Sequence, residues 1–363
     1  MLKKVIQATV DCALVLAGVF ALVFNVGPMQ RPASVSASIS QNTTFIPSAS
    51  APAAIDATPG PAGDFTGSIP SRDQMAPATL VPAATPADDR PCSGNPNALG
   101  VSRVVEVDTT GGPGFGTEHF KGMDFLRPGE VVLTFDDGPW PNNTPKVLAA
   151  LAHHCTKAIF FPIGLHATYE PELLKQVAAA GHTVGSHTWC HQNLRKTKGS
   201  CLINGKRQVV EYTWKDEIEK GISAVSWALG GPIAPFFRFP GLQQPPEGLT
   251  YLGTRNIAVF SADFDSFDFK MHRPEQVRQS VMTKLQKHGK GIILMHDFQH
   301  STADAIAQIL DDLKAGGYKV VQMRPREQLN PLPEYDAIVM KGVKTPTGSN
   351  RSVERVVRTI DGN

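Results

Sequence analysis

Between Val131 and Met323, short apolar runs alternate with longer amphipathic stretches. The runs are VVLTF (131–135), AIFFPI (158–163), HTVGS (182–186), PFFRF (235–239), IAVFSA (257–262), GIILMH (291–296) and KVVQM (319–323). Runs this short, bounded by polar residues, Gly or Pro, fit strands buried on both faces. Helical patterns lie between them: TPKVLAALAHH, PELLKQVAAAG, EQVRQSVMTKLQKHG and STADAIAQILDDLKAGG. Pro171 opens the second of these and Gly181 closes it, the expected punctuation of a helix. Seven strands, each followed by a helix or a long connection, predict a parallel α/β fold, closed or nearly closed into a barrel. A doubly wound open sheet is the alternative.

The flanks read differently. Lys3 and Lys4 precede an apolar run from Cys12 to Phe24, and Val35-Ser36-Ala37 has the small-x-small form of a cleavage site. Residues 1–37 are therefore expected to be a signal peptide or a retained membrane anchor. Residues 38–91 are rich in Ala, Pro and Ser, as in SASAPAAIDATPGPAGDF. Such a segment buries too little apolar surface to offset its ordering entropy, so a disordered linker is expected. The catalytic region would span 92–330, and 331–363 reads as a polar C-terminal tail. An N-terminal segment of this kind places the rest outside the cytoplasm, periplasmic or secreted, with a membrane tether if the segment is kept.

Charge and cysteines refine the picture. Thirty-five Lys and Arg against 33 Asp and Glu leave +2, which gives no electrostatic case for nucleic acid. Of five cysteines, Cys92, Cys155, Cys190 and Cys201 follow the export segment. An even number in an oxidising compartment admits disulfides; Cys190–Cys201 would close a short loop and leave Cys92–Cys155, although free buried thiols remain open.

In βα barrels chemistry sits at the C-terminal ends of the strands, and polar groups gather there. Asp136 and Asp137 end the first run; His187 and His191 follow the third; Arg238 follows the fourth. Asp263, Asp265 and Asp268 follow the fifth, and His296 with Asp297 ends the sixth. Each has a bland reading: an Asp-Gly turn, a core histidine, a surface ion pair, a helix cap. Their coincidence at one end of one barrel favours a joint reading. Adjacent carboxylates in a partly dry site repel unless a cation sits between them. Asp137, His187 and His191 would supply one carboxylate and two imidazoles, leaving a position open for water as in catalytic zinc sites. Asp136 would then take a proton from water, with Arg238 holding it ionised. His296 would protonate a leaving group, with Asp268 raising its pKa. Zinc suits these ligands best; Co2+ or Ni2+ would also fit.

TFDDGP, HTWCH, RFPG, DSFDF and LMH stand in the order and approximate spacing of the five motifs of the polysaccharide deacetylase family, the fourth carbohydrate esterase family, which Val131–Met323 resembles. The resemblance implies a distorted seven-stranded (β/α), TIM-like barrel. It implies metal-dependent removal of N-acetyl groups from an N-acetylglucosamine-containing polysaccharide, peptidoglycan or chitin-like. It maps Asp136 to the base, Asp137, His187 and His191 to the metal ligands, and Arg238 to the residue orienting the base. His296 maps to the acid, Asp268 to the residue tuning it, and Leu294 to the pocket for the acetyl methyl. Departures are Phe269, where Trp is frequent, Gly241, where Tyr is frequent, and Gln192 in place of Pro. The backbone N–H of Gly241 can still serve as an oxyanion donor, and Phe269 would form one wall of the pocket. An O-acetyl esterase acting on acetylxylan-like polymer, and a catalytically silent envelope polysaccharide-binding protein, are the competing readings. Polysaccharide is the expected partner, and the residues point to no protein partner.

Overall fold

The computed structural model describes Cys92 and residues 94–342. The expected signal peptide or anchor, the expected linker and the end of the expected tail lie outside the described residues. In chain order the elements are β1 (Arg103–Val107), β2 (Gly114–Phe115), β3 (Glu130–Asp136), α1 (Thr144–His153), β4 (Ile159–Phe161), α2 (Gly164–Tyr169), α3 (Pro171–Ala179) and β5 (Thr183–Val184). There follow β6 (Lys198–Ile203), β7 (Lys206–Glu211), α4 (Trp214–Leu229), β8 (Phe236–Phe237), α5 (Pro246–Thr254), β9 (Ala258–Phe260) and β10 (Phe264–Asp265). The last elements are α6 (Pro274–His288), β11 (Gly291–His296), α7 (His300–Ala315), β12 (Lys319–Pro325) and α8 (Pro333–Gly342). All seven apolar runs contain strands.

Parallel pairing carries the strands around a distorted barrel. β11 lies along one edge of β3, with His296 opposite Asp136. The other edge of β3 is shared: β12 pairs with Glu130 and Val131, and β4 with Thr134 to Asp136. β4 pairs with β5, Ser186 just beyond β5 bridges to Phe237 of β8, and β8 pairs with β9. Four residues after β9 the same chain, now β10, pairs with β11 and closes the ring. The split edge of β3 and the broken β9–β10 strand are the distortion. This closure excludes the open doubly wound sheet.

Alternation along the strands sorts the core into two layers. Val132, Ile159, Phe161, Phe236, Phe260 and Ile292 form one cluster inside the barrel. Val131, Leu133 and Phe135 face the other way and pack with Val147 and Leu151 of α1 and Ile306 and Leu310 of α7. Each fully buried aliphatic or aromatic side chain of this kind stabilises the fold by roughly 1.5–3 kcal/mol. The same period of two places Thr134 and Asp136 on the inner face after Val132, Arg238 after Phe236, and Leu294 and His296 after Ile292. Polar chemistry thus caps an apolar barrel.

Three features depart from the expectations or fill gaps in them. The insertion between the third and fourth runs is a β6–β7 antiparallel hairpin followed by α4. Thr213 caps α4 by accepting from the Asp216 N–H, and Gly230 ends it in the left-handed region at φ 75°. The expected polar tail contains α8, with Tyr335 and Val339 buried. Tyr335 donates its hydroxyl to Asp216 at 3.0 Å, and Ser223 bonds Asp336, so this part of the tail is docked on α4 rather than solvated. Cys92–Cys155 and Cys190–Cys201 are both disulfides. Among the described residues no helix is long and apolar enough to cross a membrane.

Candidate metal and catalytic site

Asp137 leaves β3 at φ 74°, a left-handed conformation that Asp tolerates better than most residues. The turn is held from three sides. The Asp137 N–H donates to Phe161 O at 3.2 Å, and its carbonyl accepts from His166 Nδ1 at 2.6 Å. The Gly138 N–H donates to Asp297 Oδ1 at 3.0 Å. A Cβ on Gly138 would lie 2.2 Å from Asp297 Oδ2, so this close approach requires glycine. The His187–His191 loop is bent similarly, with Thr188 at φ 69° and His191 at φ 54°.

These turns bring Asp137 Oδ1 to 3.4 Å from His187 Nε2 and 3.5 Å from His191 Nε2. One ligand atom from each of the three lies within 4.8 Å of the others. Asp137 Oδ1 is buried and has no hydrogen-bond partner. Tetrahedral bonds of ~2.0–2.1 Å hold ligand atoms about 3.4 Å apart, so the donor set fits a divalent metal ion. The His187 Nδ1–H donates to Arg238 O at 2.7 Å, which leaves Nε2 with its lone pair facing Asp137. Burial pushes the His187 imidazole down to about 4, so it is neutral at neutral pH, as a ligand must be. Burial alone would raise Asp137, but the imidazoles of His191, His187, His296 and His166 hold it below the usual carboxylate range.

Asp136 faces the barrel interior. Arg238, fully buried, donates from Nη1 to Asp136 Oδ1 and to Thr134 Oγ1, both at 2.7 Å, and from Nη2 to Ser261 O at 2.9 Å. Its guanidinium stacks 4.5 Å from the Phe161 ring centroid. Across the site, His296 donates from Nδ1 to Asp268 Oδ1 at 2.6 Å, which leaves Nε2 toward Asp137 Oδ2 at 4.0 Å. Burial would lower the His296 pKa. The Asp268 hydrogen bond and charge, with the charges of Asp137 and Asp136, outweigh it and raise the imidazolium to about 10. Asp268 is fully buried and also accepts from the His296 N–H at 2.8 Å and from Thr302 Oγ1 at 2.5 Å. Phe269 is 45 % exposed, its ring 5.6 Å from that of His296. Leu294 is buried one turn of the pleat below His296. Gly241 is exposed at φ 58°, with nothing within 4 Å of an added Cβ.

The structure therefore brings together Asp136, Asp137, His187, His191, Arg238, Asp268 and His296. Asp263 is elsewhere, clasping Thr117 and the Ile292 N–H, and Asp265 accepts from its own turn at Phe267 N. Two supporting residues have no role assigned from the sequence: Asp297, marked there only as a neighbour of His296, and Glu217, not singled out. Asp297 is buried, accepts from Gly138 N and Thr144 Oγ1, and is pushed up to about 7 by burial and then by the Asp137 charge. Glu217 of α4 reaches under the metal loop to accept from Cys190 N at 2.9 Å, and burial raises it to about 6. Asp297 stood beside His296 in the sequence; Glu217 carried no signal beyond a first-turn acid.

A family profile described as polysaccharide deacetylase matches residues 126–254. A peptidoglycan-N-acetylglucosamine deacetylase of Bacillus cereus is 30% identical over 205 residues, which are 53% of this chain and 84% of that protein. The chain belongs to the polysaccharide deacetylase family. The chitin deacetylase of Colletotrichum lindemuthianum is 28% identical over 211 residues, 55% of this chain and 79% of that protein. Among solved structures, the peptidoglycan deacetylase Bd3279 of Bdellovibrio bacteriovorus superposes with a TM-score of 0.54 at 29% identity, covering 64% of this chain and 61% of that one. The chain spans 66% of the length of one curated peptidoglycan deacetylase relative and 37% of others.

Proposed function

We propose that this deacetylase-family chain is a metal-dependent hydrolase that removes N-acetyl groups from an N-acetylglucosamine-containing polysaccharide. The observation that carries the reading is the orphaned Asp137 Oδ1 between two imidazole nitrogens, flanked by the Arg238–Asp136 and Asp268–His296 pairs. Asp137, His187 and His191 would hold the ion, with zinc favoured by one carboxylate and two imidazoles. When bound, a divalent ion there supplies acidification of water and polarisation of the amide carbonyl.

The chain's own residues do the rest. Asp136, fixed by Arg238, accepts a proton as the water oxygen adds to the acetyl carbonyl carbon. The Gly241 N–H donates to the oxygen that gains charge. His296, protonated at neutral pH, gives its Nε2 proton to the sugar nitrogen as the C–N bond breaks, releasing acetate and a free amine. Leu294 packs the acetyl methyl and Phe269 walls the pocket. Two disulfides support an oxidising compartment, periplasmic or secreted.

The test is acetate release from chitooligosaccharides and from peptidoglycan by the full chain, before and after chelation and zinc add-back. Chelator-sensitive, zinc-restored release is expected. Release indifferent to chelation, or undiminished in Asp136→Asn, overturns the reading.

A further inference from the structure

The β6–β7 ribbon supplies no group to the chemistry above, and its two faces differ. Cys201, Ile203 and Val210 turn inward and pack with Ile163, Leu165 and Trp189. Lys198, Ser200 and Leu202 share the other face with Glu211, Val209 and Arg207, which lie directly opposite them. The solvated face of an antiparallel pair is ordinarily polar. Here Leu202 is 48 % exposed and Val209 72 %, the most of any large apolar side chain among the described residues. Ser200 pairs with Val209 and Leu202 with Arg207, so the two aliphatic side chains are diagonal neighbours across the ladder. Tyr169, also exposed, adds an aromatic edge at the turn, where it accepts from the Asn204 N–H at 2.9 Å. A lone aliphatic side chain on a surface is ordinary; a pair among cations is not. Residues 194–211 hold Arg195, Lys196, Lys198, Lys206 and Arg207 against Glu211 alone, so five cations and one carboxylate leave +4 in a chain whose total is +2. Lys198 takes up Glu211 at 3.3 Å, and Arg207 donates to Ser200 Oγ at 2.9 Å. Among the described residues Lys196, Lys206 and Arg207 therefore pair with no carboxylate.

We propose that the outer face of this ribbon docks on an anionic phospholipid surface, with Leu202 and Val209 in the shallow acyl layer and Lys196, Lys206 and Arg207 on headgroup phosphates. Charge complementarity sets the sign of the partner, and the aliphatic pair sets its class. A hydrated acidic polymer takes the cations and leaves Leu202 and Val209 wet, whereas a bilayer surface covers both. Residues 1–37, with their basic start and apolar run, are expected to bring the chain to a bilayer, where a second contact strengthens a single attachment. The Cys190–Cys201 bridge ties the ribbon to the loop of His191, so docking holds the metal loop beside the lipid surface. The inference goes beyond the deacetylase reading and does not depend on it.

The test uses the full chain with vesicles of phosphatidylcholine alone and of a two-to-one mixture of phosphatidylcholine and phosphatidylglycerol. Amide hydrogen exchange reads the ribbon itself, whatever the N-terminal segment does. Exchange across 198–211 should slow on the mixed vesicles and not on the neutral ones. Lys206→Gln/Arg207→Gln should weaken affinity for the mixed vesicles about 30-fold, at about fivefold per cation near the surface. Leu202→Ser/Val209→Ser should weaken it about tenfold. Both variants should keep the native denaturant midpoint, because the replaced groups face water, and both should lose the slowed exchange. Slowing confined to other segments, slowing equal on neutral vesicles, or slowing that survives both variants overturns the docking face. Soluble polyglutamate is the control for charge alone: if it slows 198–211 as much as the vesicles do, and Leu202→Ser/Val209→Ser does not matter, the partner is an acidic macromolecule and the lipid assignment falls.

Discussion

His296 depends on Asp268 for its charge. A histidine whose folded pKa is raised to about 10 is protonated throughout the neutral range, so its value as an acid ends only on the alkaline side. Asp268→Asn removes the charge that outweighs burial. The alkaline limb of the kcat/KM profile should then move down by about one to three pH units; a limb that stays put means another group sets it. Linkage gives the companion sign. The raised pKa contributes stability that is fully present below the ordinary histidine value and is lost as pH rises toward about 10. Denaturant midpoints should fall over that window in the native chain and fall less in Asp268→Asn. Asp297 acts at one remove. It bonds no ligand, but it holds the peptide after Asp137 by the Gly138 N–H. Asp297→Ala should weaken zinc binding by about 10- to 100-fold, the usual cost of losing an outer-shell partner. A chelator-competition titration measures this, and undiminished affinity would show that the turn holds itself.

The metal loop is an element supported by other elements. Cys190, next to His191, is tied to β6 by the disulfide to Cys201, and Glu217 of α4 holds its N–H from below. Opening a bridge of sequence separation 11 should cost about 3 kcal/mol through the loop entropy returned to the unfolded chain. Cys190→Ser/Cys201→Ser should accordingly show a lower denaturant midpoint and weaker zinc binding; a lower midpoint with native affinity would confine the bridge to stability. This arrangement explains what the sequence could and could not disclose. The apolar runs were legible because a strand buried on both faces has nowhere to put polar residues except at its end. Asp136, Arg238 and His296 therefore stood out as the first charges after Phe135, Phe237 and Met295. The hairpin was illegible: its outer face keeps Val209 72 % exposed, so its pattern resembles a solvated insertion. α4 was marked by Thr213 and Gly230, but much of its sequence is polar on every side, because Glu217 and Glu219 are buried against partners far along the chain. α8 hid for a different reason: its short run keeps Ile338 and Met340 exposed beside the buried Tyr335 and Val339, so its apolar residues form no single helical stripe.

At the scale of the barrel, Arg238 is where stability and chemistry share one side chain. Its guanidinium joins β3 through Asp136 and Thr134, β4 through the Phe161 ring, and the end of β9 through Ser261 O. It lies above an apolar interior, with no water exposure of its own and Asp136 only 2 % exposed. Removing one member of such a pair leaves the other charge buried and uncompensated, which typically costs about 3–5 kcal/mol. Replacing both with apolar groups of similar volume is often close to neutral. Arg238→Met should therefore unfold at markedly lower denaturant than the native chain, and Asp136→Leu/Arg238→Met should regain most of that loss. Neither should release acetate. The pattern would mean that the ion pair is kept for the reaction, at some cost in desolvation, and that the barrel closes without it. A double variant as unstable as Arg238→Met would instead assign Arg238 a structural role through Thr134 and Ser261, with the pairing to Asp136 incidental to folding.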